Sequence, residues 1–219
     1  MSTSADQEKY YDNYWHPVSS QHSGDRTGYA PNLRRWMHTE LVEITTQTKI
    51  LEVGCGDASF TKNLAQYSSN ITAIDISSAQ IARNSKFLPE VTFLQHDVSN
   101  SLPFENSTFD VIWCSEVLEH LFNPAFALEE MYRVINFGGK LMLTVPYHGL
   151  FKNVMIALFK WDHHFDPEYP HIRFFTKKTL SKLVAKAGFG EIQTSTCGMS
   201  KPMRDLLIPT NLLLKAKKV

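Results

Sequence analysis

The sequence predicts an α/β fold: a doubly wound, Rossmann-like sheet, mostly parallel with a C-terminal antiparallel strand, and helices on both faces. Three observations carry that prediction. Short runs rich in Ile, Val and Leu recur along the 219 residues, each bounded by Gly, Pro, Asp, Asn or Ser. Segments with apolar residues at helical spacing alternate with them, the order that builds a parallel sheet buried on both sides. The first strand runs directly into a glycine turn and then a helix, Glu52-Val53-Gly54-Cys55-Gly56-Asp57.

Taken in order, residues 1–30 read as a polar arm bearing Tyr10, Tyr11, Tyr14 and Trp15, aromatics that are costly to leave in water and so are expected to dock as a lid. Leu33, Trp36, Met37, Leu41 and Ile44 return at spacings of three and four, which predicts a helix over 32–44. Strands are expected at 49–53, 70–76, 91–96, 109–114 and 140–145, with helices at 59–67, 78–87 and 124–135 between them. Asn136-Phe137-Gly138-Gly139 reads as a glycine stop to the third of these helices. The stretch 147–175 is long for a connection and reads as an insert covering an acceptor pocket. A helix at 176–187 starts at Thr176 and ends at Gly188, and strands at 191–196 and 212–216 close the chain. The whole is one domain, with 45–146 as its cofactor-binding core and 176–219 as a C-terminal helix and strands.

Lys and Arg number 22 against 22 Asp and Glu, so no bulk basic field exists to hold a nucleic-acid backbone. Three widely spaced cysteines form no C-x-x-C ligand set and read as buried, reduced thiols. No stretch reaches the ~20 apolar residues that cross a bilayer, and the polar first residues lack the form of a secretory signal. A cytoplasmic protein without integral membrane association is expected. The apolar segment 150–161, interrupted by Lys152, Asn153 and Lys160, leaves a surface-lying role open.

Chemistry concentrates at the carboxyl ends of the strands, where open α/β sheets bind ligands. Glycines at the first turn let backbone approach a ligand where a Cβ would collide. Asp75 ends the second strand, 75 − 56 = 19 residues beyond Gly56, where a carboxylate sits under a ribose diol and accepts both hydroxyls. Asp97 ends the third. A dinucleotide enzyme wants Gly or Ala at position 59 and no anion beside the pyrophosphate, yet this chain has Ser59 and Asp57. S-adenosylmethionine has no phosphate, carries a sulfonium and an ammonium, and suits acidic neighbours.

The order Glu52-Val-Gly-Cys-Gly-Asp57, Ile74-Asp-Ile-Ser77, His96-Asp-Val98, Phe109-Asp-Val-Ile112, Ser115-Glu-Val-Leu-Glu-His120 and Val134-Ile-Asn-Phe-Gly-Gly139 resembles the class I S-adenosylmethionine-dependent methyltransferases, in particular their broad small-molecule group. Ala58 stands where that family often has a third glycine. The resemblance implies a methyltransferase acting at O or N of a small-molecule acceptor and releasing S-adenosylhomocysteine. It implies that Glu52, Gly54 and Gly56 serve the methionine portion, Asp75 the ribose, Ile76 the adenine face, and Asp97 with Val98 the adenine amino edge. Cys114 offers its backbone carbonyl to the ammonium. An acceptor that needs deprotonation calls for a base, and His148 after the fifth strand and His120 are the candidates. Tyr11, Tyr14, Tyr147 and His171 are expected to line the acceptor. Glu116, Glu119 and His120 would share one face of a helix. Some relatives use these letters for a divalent metal and others do not; no metal is expected, because an oxygen-rich site needs more than three ligands.

Overall fold

The computed structural model describes residues 4–14, 23–166, 170–198, 205 and 208–219, with the backbone alone at 23–30 and at 163. Trp15, Tyr169 and most of the connection between the last two strands lie outside the described residues. In chain order the elements are α1 (Ser4–Tyr14), α2 (Ser23–Leu41), β1 (Lys49–Val53), α3 (Thr61–Leu64), β2 (Asn70–Asp75), α4 (Ser78–Phe87), β3 (Thr92–Gln95), β4 (Phe109–Ser115), a 3₁₀ turn (Leu118–His120) and α5 (Pro124–Val134). They continue with β5 (Ile135–Pro146), α6 (Leu150–Phe159), α7 (Trp161–His164), α8 (Lys177–Lys186), β6 (Phe189–Cys197) and β7 (Asn211–Lys218).

The seven strands lie in the order β3-β2-β1-β4-β5-β7-β6. The first five are parallel, and β7 runs antiparallel between β5 and β6. Strand order reverses at β1, so the ends of β1, β2 and β4 face one crevice. Alternate side chains enter opposite cores. Leu51, Val53, Ile112, Cys114, Leu141 and Leu143 meet α5 and α8 on one face. Ile50, Val111, Trp113 and Met142 meet Met37 and Leu41 of α2 and Leu64 of α3 on the other. Burial on both faces explains why these strands read as nearly continuous apolar runs.

Several boundaries differ from expectation. The helix expected over 32–44 begins at Ser23 and runs through Pro31. The regular α-helix expected over 59–67 is one turn, and beyond it the bonds tighten to the i+3 pattern at Gln66 and Tyr67. No glycine cap stops α5. Ile135 takes extended backbone and pairs with Phe109, so helix passes directly into strand. Gly138, at φ +77°, instead accommodates the irregular register before Val111 pairs with Lys140. At Gly139 a Cβ would stand 2.8 Å from the Asn136 carbonyl oxygen and 3.0 Å from that of Asp110. The glycines serve a bulge, because tertiary strand pairing satisfies the backbone that a cap would otherwise serve. Among the described residues, no helix is long and apolar enough to cross a membrane.

Candidate active site

The turn after β1 is wired to the end of β2. Gly54 and Cys55 both donate their N–H groups to the Ile74 carbonyl, at 2.8 and 3.1 Å. Gly56 N–H donates to Asp75 Oδ2 at 2.8 Å, and Ser77 N–H to Asp75 Oδ1 at 2.9 Å. The buried Asp75 carboxylate thus fixes two backbone turns. Asn84 of α4 donates to the Gly56 carbonyl at 2.8 Å and holds the turn from the other side. Gly54 has φ +75°, and a Cβ there would collide with the Val117 side chain. Glycine is therefore required at this position both by conformation and by space.

The arm forms α1 and lies at the carboxyl ends of the strands. Ser4 donates to Asp97 Oδ2 at 2.8 Å. Asp12 accepts from the Ser77 hydroxyl and from Ala79 N–H, so it adds a second cap to α4 beside Ser77 itself, which accepts from Gln80 N–H at 3.1 Å. Tyr10, Tyr11 and Tyr14 form a ring cluster, with Tyr11 edge-on to Tyr10 at 5.2 Å and to Tyr14 at 6.2 Å. Burial, with the negative field of neighbours including Glu119 and Asp75, pushes the Tyr11 hydroxyl well above its ordinary range. Tyr11 is therefore a neutral donor at physiological pH.

Tyr11 also meets His120, rings edge to face at 5.9 Å, and His120 meets His171 at 4.8 Å. Glu119, with no exposed surface, places Oε1 3.8 Å from His120 Nε2 and 4.0 Å from His171 Nε2. Donor atoms of these three residues all lie within 4.8 Å of one another. His120 Nδ1 lies 3.1 Å from the Pro170 carbonyl, which can only accept. That contact places the proton on Nδ1 and leaves Nε2 as the basic nitrogen of the neutral ring. Burial, then the charge of His120, pushes His171 down to about 3, so it stays neutral.

The shared helical face expected for Glu116, Glu119 and His120 does not form. Glu116 has φ +56° and precedes a single 3₁₀ turn rather than lying in an α-helix. Its carboxylate turns to β5 and β7, accepting from Thr144 at 2.9 Å and Asn211 at 3.0 Å. His171 of the insert takes the place beside Glu119 and His120.

His148 is buried at the base of the insert. Its Nδ1 lies 3.2 Å from Asn153 Oδ1, and its ring contacts Phe174 at 4.8 Å and His164 at 5.1 Å. Burial, then the Lys152 charge, lowers its pKa to about 4. Tyr147 stands on the same connection, with its ring over Gly149 and its N–H donating to the Thr210 carbonyl at 2.8 Å.

The family model described as a methyltransferase domain matches residues 51–143. The 2-methyl-6-phytyl-1,4-hydroquinone methyltransferase of Synechocystis sp. is 29% identical over 168 residues, 71% of this chain and 50% of that protein. The ubiquinone biosynthesis O-methyltransferase of Alkalilimnicola ehrlichii is 32% identical over 100 residues, 44% of this chain and 40% of that one. These matches place a methyltransferase domain over residues 51–143 and support the class I S-adenosylmethionine-dependent methyltransferase family. The chain spans about half the length of the curated relatives it matches. In fold, a methyltransferase in complex with the Trm112 activator of Haloferax volcanii superposes with a TM-score of 0.74 at 15% identity, over 95% of this chain and 97% of that one. Haemonchus contortus phosphoethanolamine N-methyltransferase 2, in complex with S-adenosyl-L-methionine, gives 0.70 at 14% identity over 95% and 60%.

The residues present fit the cofactor that this methyltransferase family uses. The turn over 54–60 carries Asp57 and no Lys or Arg, which disfavours a pyrophosphate and suits a cationic ligand. Ile76 and Val98 are half-buried beside the crevice, and Asp97 Oδ1 accepts from Ser99 N–H at 2.9 Å. Cys114 is buried at the end of β4, its thiol held protonated by burial first and then by Glu119, Glu116 and Glu52, so its backbone is the chemically available part. The Cys55 thiol is likewise pushed up by burial and by Glu52 and Asp75.

Sequence reasoning passed over three residues that build this site. Asn84 and Asp12 act through hydrogen bonds between segments distant in the chain, and neither sits in a recognisable motif. Asn211, which holds Glu116, comes from β7 and joins it only through sheet pairing. The Ser-x-x-Gln of Ser77 and Gln80 was the single local signal, marking where α4 begins.

Proposed function

We propose that the protein is a methyltransferase that passes the methyl group of S-adenosylmethionine to O or N of a small-molecule acceptor. The observation that carries this reading is the glycine turn tied to the Asp75 carboxylate at the sheet's switch point. Asp75 would hold the ribose hydroxyls, Ile76 the adenine face, and Asp97 with Val98 the adenine amino edge. Glu52, Gly54, Gly56 and the Cys114 carbonyl would hold the methionine portion. When bound, the cofactor supplies an electrophilic methyl on a cationic sulfur.

This chain's own residues position and deprotonate the acceptor and keep water out. His120 Nε2 takes the acceptor proton, and Glu119 at 3.8 Å stabilises the imidazolium that results. The Pro170 carbonyl keeps the required tautomer. Neutral His171 and the Tyr11 hydroxyl donate to the acceptor, while Tyr14 and Tyr147 bound its space. His148, with its pKa near 4, is a weak base and serves better to orient the insert than to accept a proton. The approach of α1 and the insert to the strand ends from two sides supports a small-molecule acceptor.

Calorimetry with S-adenosylhomocysteine and with NADH tests the cofactor, and labelled methyl transfer into a metabolite extract, read by mass spectrometry, tests the reaction. Binding of the first ligand and a labelled product are expected. Binding of NADH alone would overturn the reading.

A further inference from the structure

Helix α6 is built inside out. On a helix ~100° is turned per residue, so Lys152, Asn153 and Ile156 share one face. Its side chains turn to the body: Ile156 is 9% exposed, Lys152 donates to the Tyr147 carbonyl at 2.9 Å, and Asn153, though exposed, hydrogen-bonds His148. The opposite face shows water only hydrocarbon, with Leu150 at 83% and Leu158 at 66% exposure and Phe151 and Val154 beside them, and the exposed Phe159 and Trp161 extend this surface past the end of the helix. A soluble surface helix places these classes the other way round.

The patch continues beyond the helix. Trp161 meets Phe165 at a tilt with centroids 4.5 Å apart, Phe165 meets Phe174 at 5.6 Å, and Phe174 packs on His148, so the apolar surface runs from α6 to the acceptor side of the site. An area of this extent on a single chain marks an interaction surface.

The geometry points to a lipid bilayer surface as the partner of α6, with the helix lying in the headgroup region on its apolar face. Two features separate this from a protein partner. The outer face offers no hydrogen-bonding side chain except Trp161 at its end, whereas protein interfaces carry about one hydrogen bond per 100–200 Å². Its surroundings have the chemistry of a headgroup layer, because beside the inward Lys152 the stretch 149–178 offers the exposed Lys160, Arg173, Lys177 and Lys178, and Lys160 adjoins Trp161. Ten residues span about 15 Å, enough to lie on a membrane and too few to cross one. A consequence that rests on the methyl-transfer reading is that an acceptor dissolved in the bilayer meets the site from the Phe174 side.

The test is co-sedimentation of the full chain with phosphatidylcholine vesicles, with and without one quarter phosphatidylglycerol. Sedimentation with both, stronger with the anionic vesicles, is expected. The pair Leu158→Asp with Phe159→Asp should lower the vesicle-bound to free ratio at least tenfold, as should Leu150→Asp with Val154→Asp, while Tm and S-adenosylhomocysteine affinity stay unchanged. Wild-type protein left in the supernatant with both vesicles, or variants that sediment like the wild type, would overturn the proposal. So would a dimer in light scattering that the same variants dissociate, since it would give the face to a second copy. Failure to bind S-adenosylhomocysteine with vesicle binding intact would remove the methyltransferase reading and leave the docking surface standing.

Discussion

Tyr11 and His120 meet edge to face with ring centroids 5.9 Å apart, which joins the N-terminal helix to the turn that carries Glu119. This contact places the arm across the strand ends, and α1 itself contains no buried residue. Polar contacts at Ser4 and Asp12 also hold it, and a hydrogen bond of this kind contributes about 0.5–1.5 kcal/mol. A helix attached without buried residues is suited to open. Deleting residues 1–16 should leave a folded protein with greatly reduced turnover, and S-adenosylhomocysteine should protect the arm from protease. Equal cleavage rates with and without the ligand would make α1 a fixed clasp.

Asp75→Ala removes the acceptor for Gly56 and Ser77 N–H as well as for a ribose. The expected loss in S-adenosylhomocysteine binding is at least about 1.5–3 kcal/mol, the range for a hydrogen bond to a charged group. Calorimetry on a folded variant decides it, and unchanged affinity removes the ribose assignment.

Gly54→Ala meets two obstacles, a left-handed backbone worth about 1–2 kcal/mol and the Val117 side chain. A lower Tm and weakened cofactor binding are expected. Adding Val117→Ala should restore only the steric part, so full recovery in the double variant would show that the conformation matters little.

His148 and His171 have native pKa values of about 4 and about 3, below the ordinary 6.5. The unfolded chain therefore binds more protons than the folded one between these values. Their contribution to stability is present above about pH 6.5 and is lost as pH falls towards 4 and then 3. Denaturant titrations across that window should show falling stability, and His148→Gln should flatten the slope. A wild-type profile level from pH 7 to 4 would contradict the burial of both rings.

Glu119, His120 and His171 are close enough to share one proton or one ion. The base reading predicts that a chelator leaves turnover unchanged, and that Glu119→Gln lowers kcat by ~10²-fold, within the range for general-base catalysis, with S-adenosylhomocysteine affinity preserved. A chelator-sensitive rate restored by a divalent cation would instead assign the three side chains to a metal.

The sequence by itself determined the sheet and the floor of the site. Strands buried on both faces must be apolar throughout, and a turn that needs left-handed backbone must hold glycine, so β1, β2, β4, Gly54 and Asp75 were written in local composition and spacing. The tertiary structure alone decided what closes the site. Glu116 and Glu119 look equivalent at helical spacing, but a left-handed backbone at Glu116 sends one to Asn211 and leaves the other beside His171. Gly138 and Gly139 look like a helix stop, but pairing of Ile135 with Phe109 turns them into a bulge. Asp12 reaches Ala79, and Asn84 reaches the Gly56 carbonyl, through bonds that no local pattern encodes. Helix α6 shows the same division: its composition is visible in the sequence, but which face turns outward depends on Lys152 and Asn153 finding backbone and histidine partners within the fold. Periodicity reports how a segment is buried, whereas the direction in which a polar side chain turns is set by partners that only folding brings near.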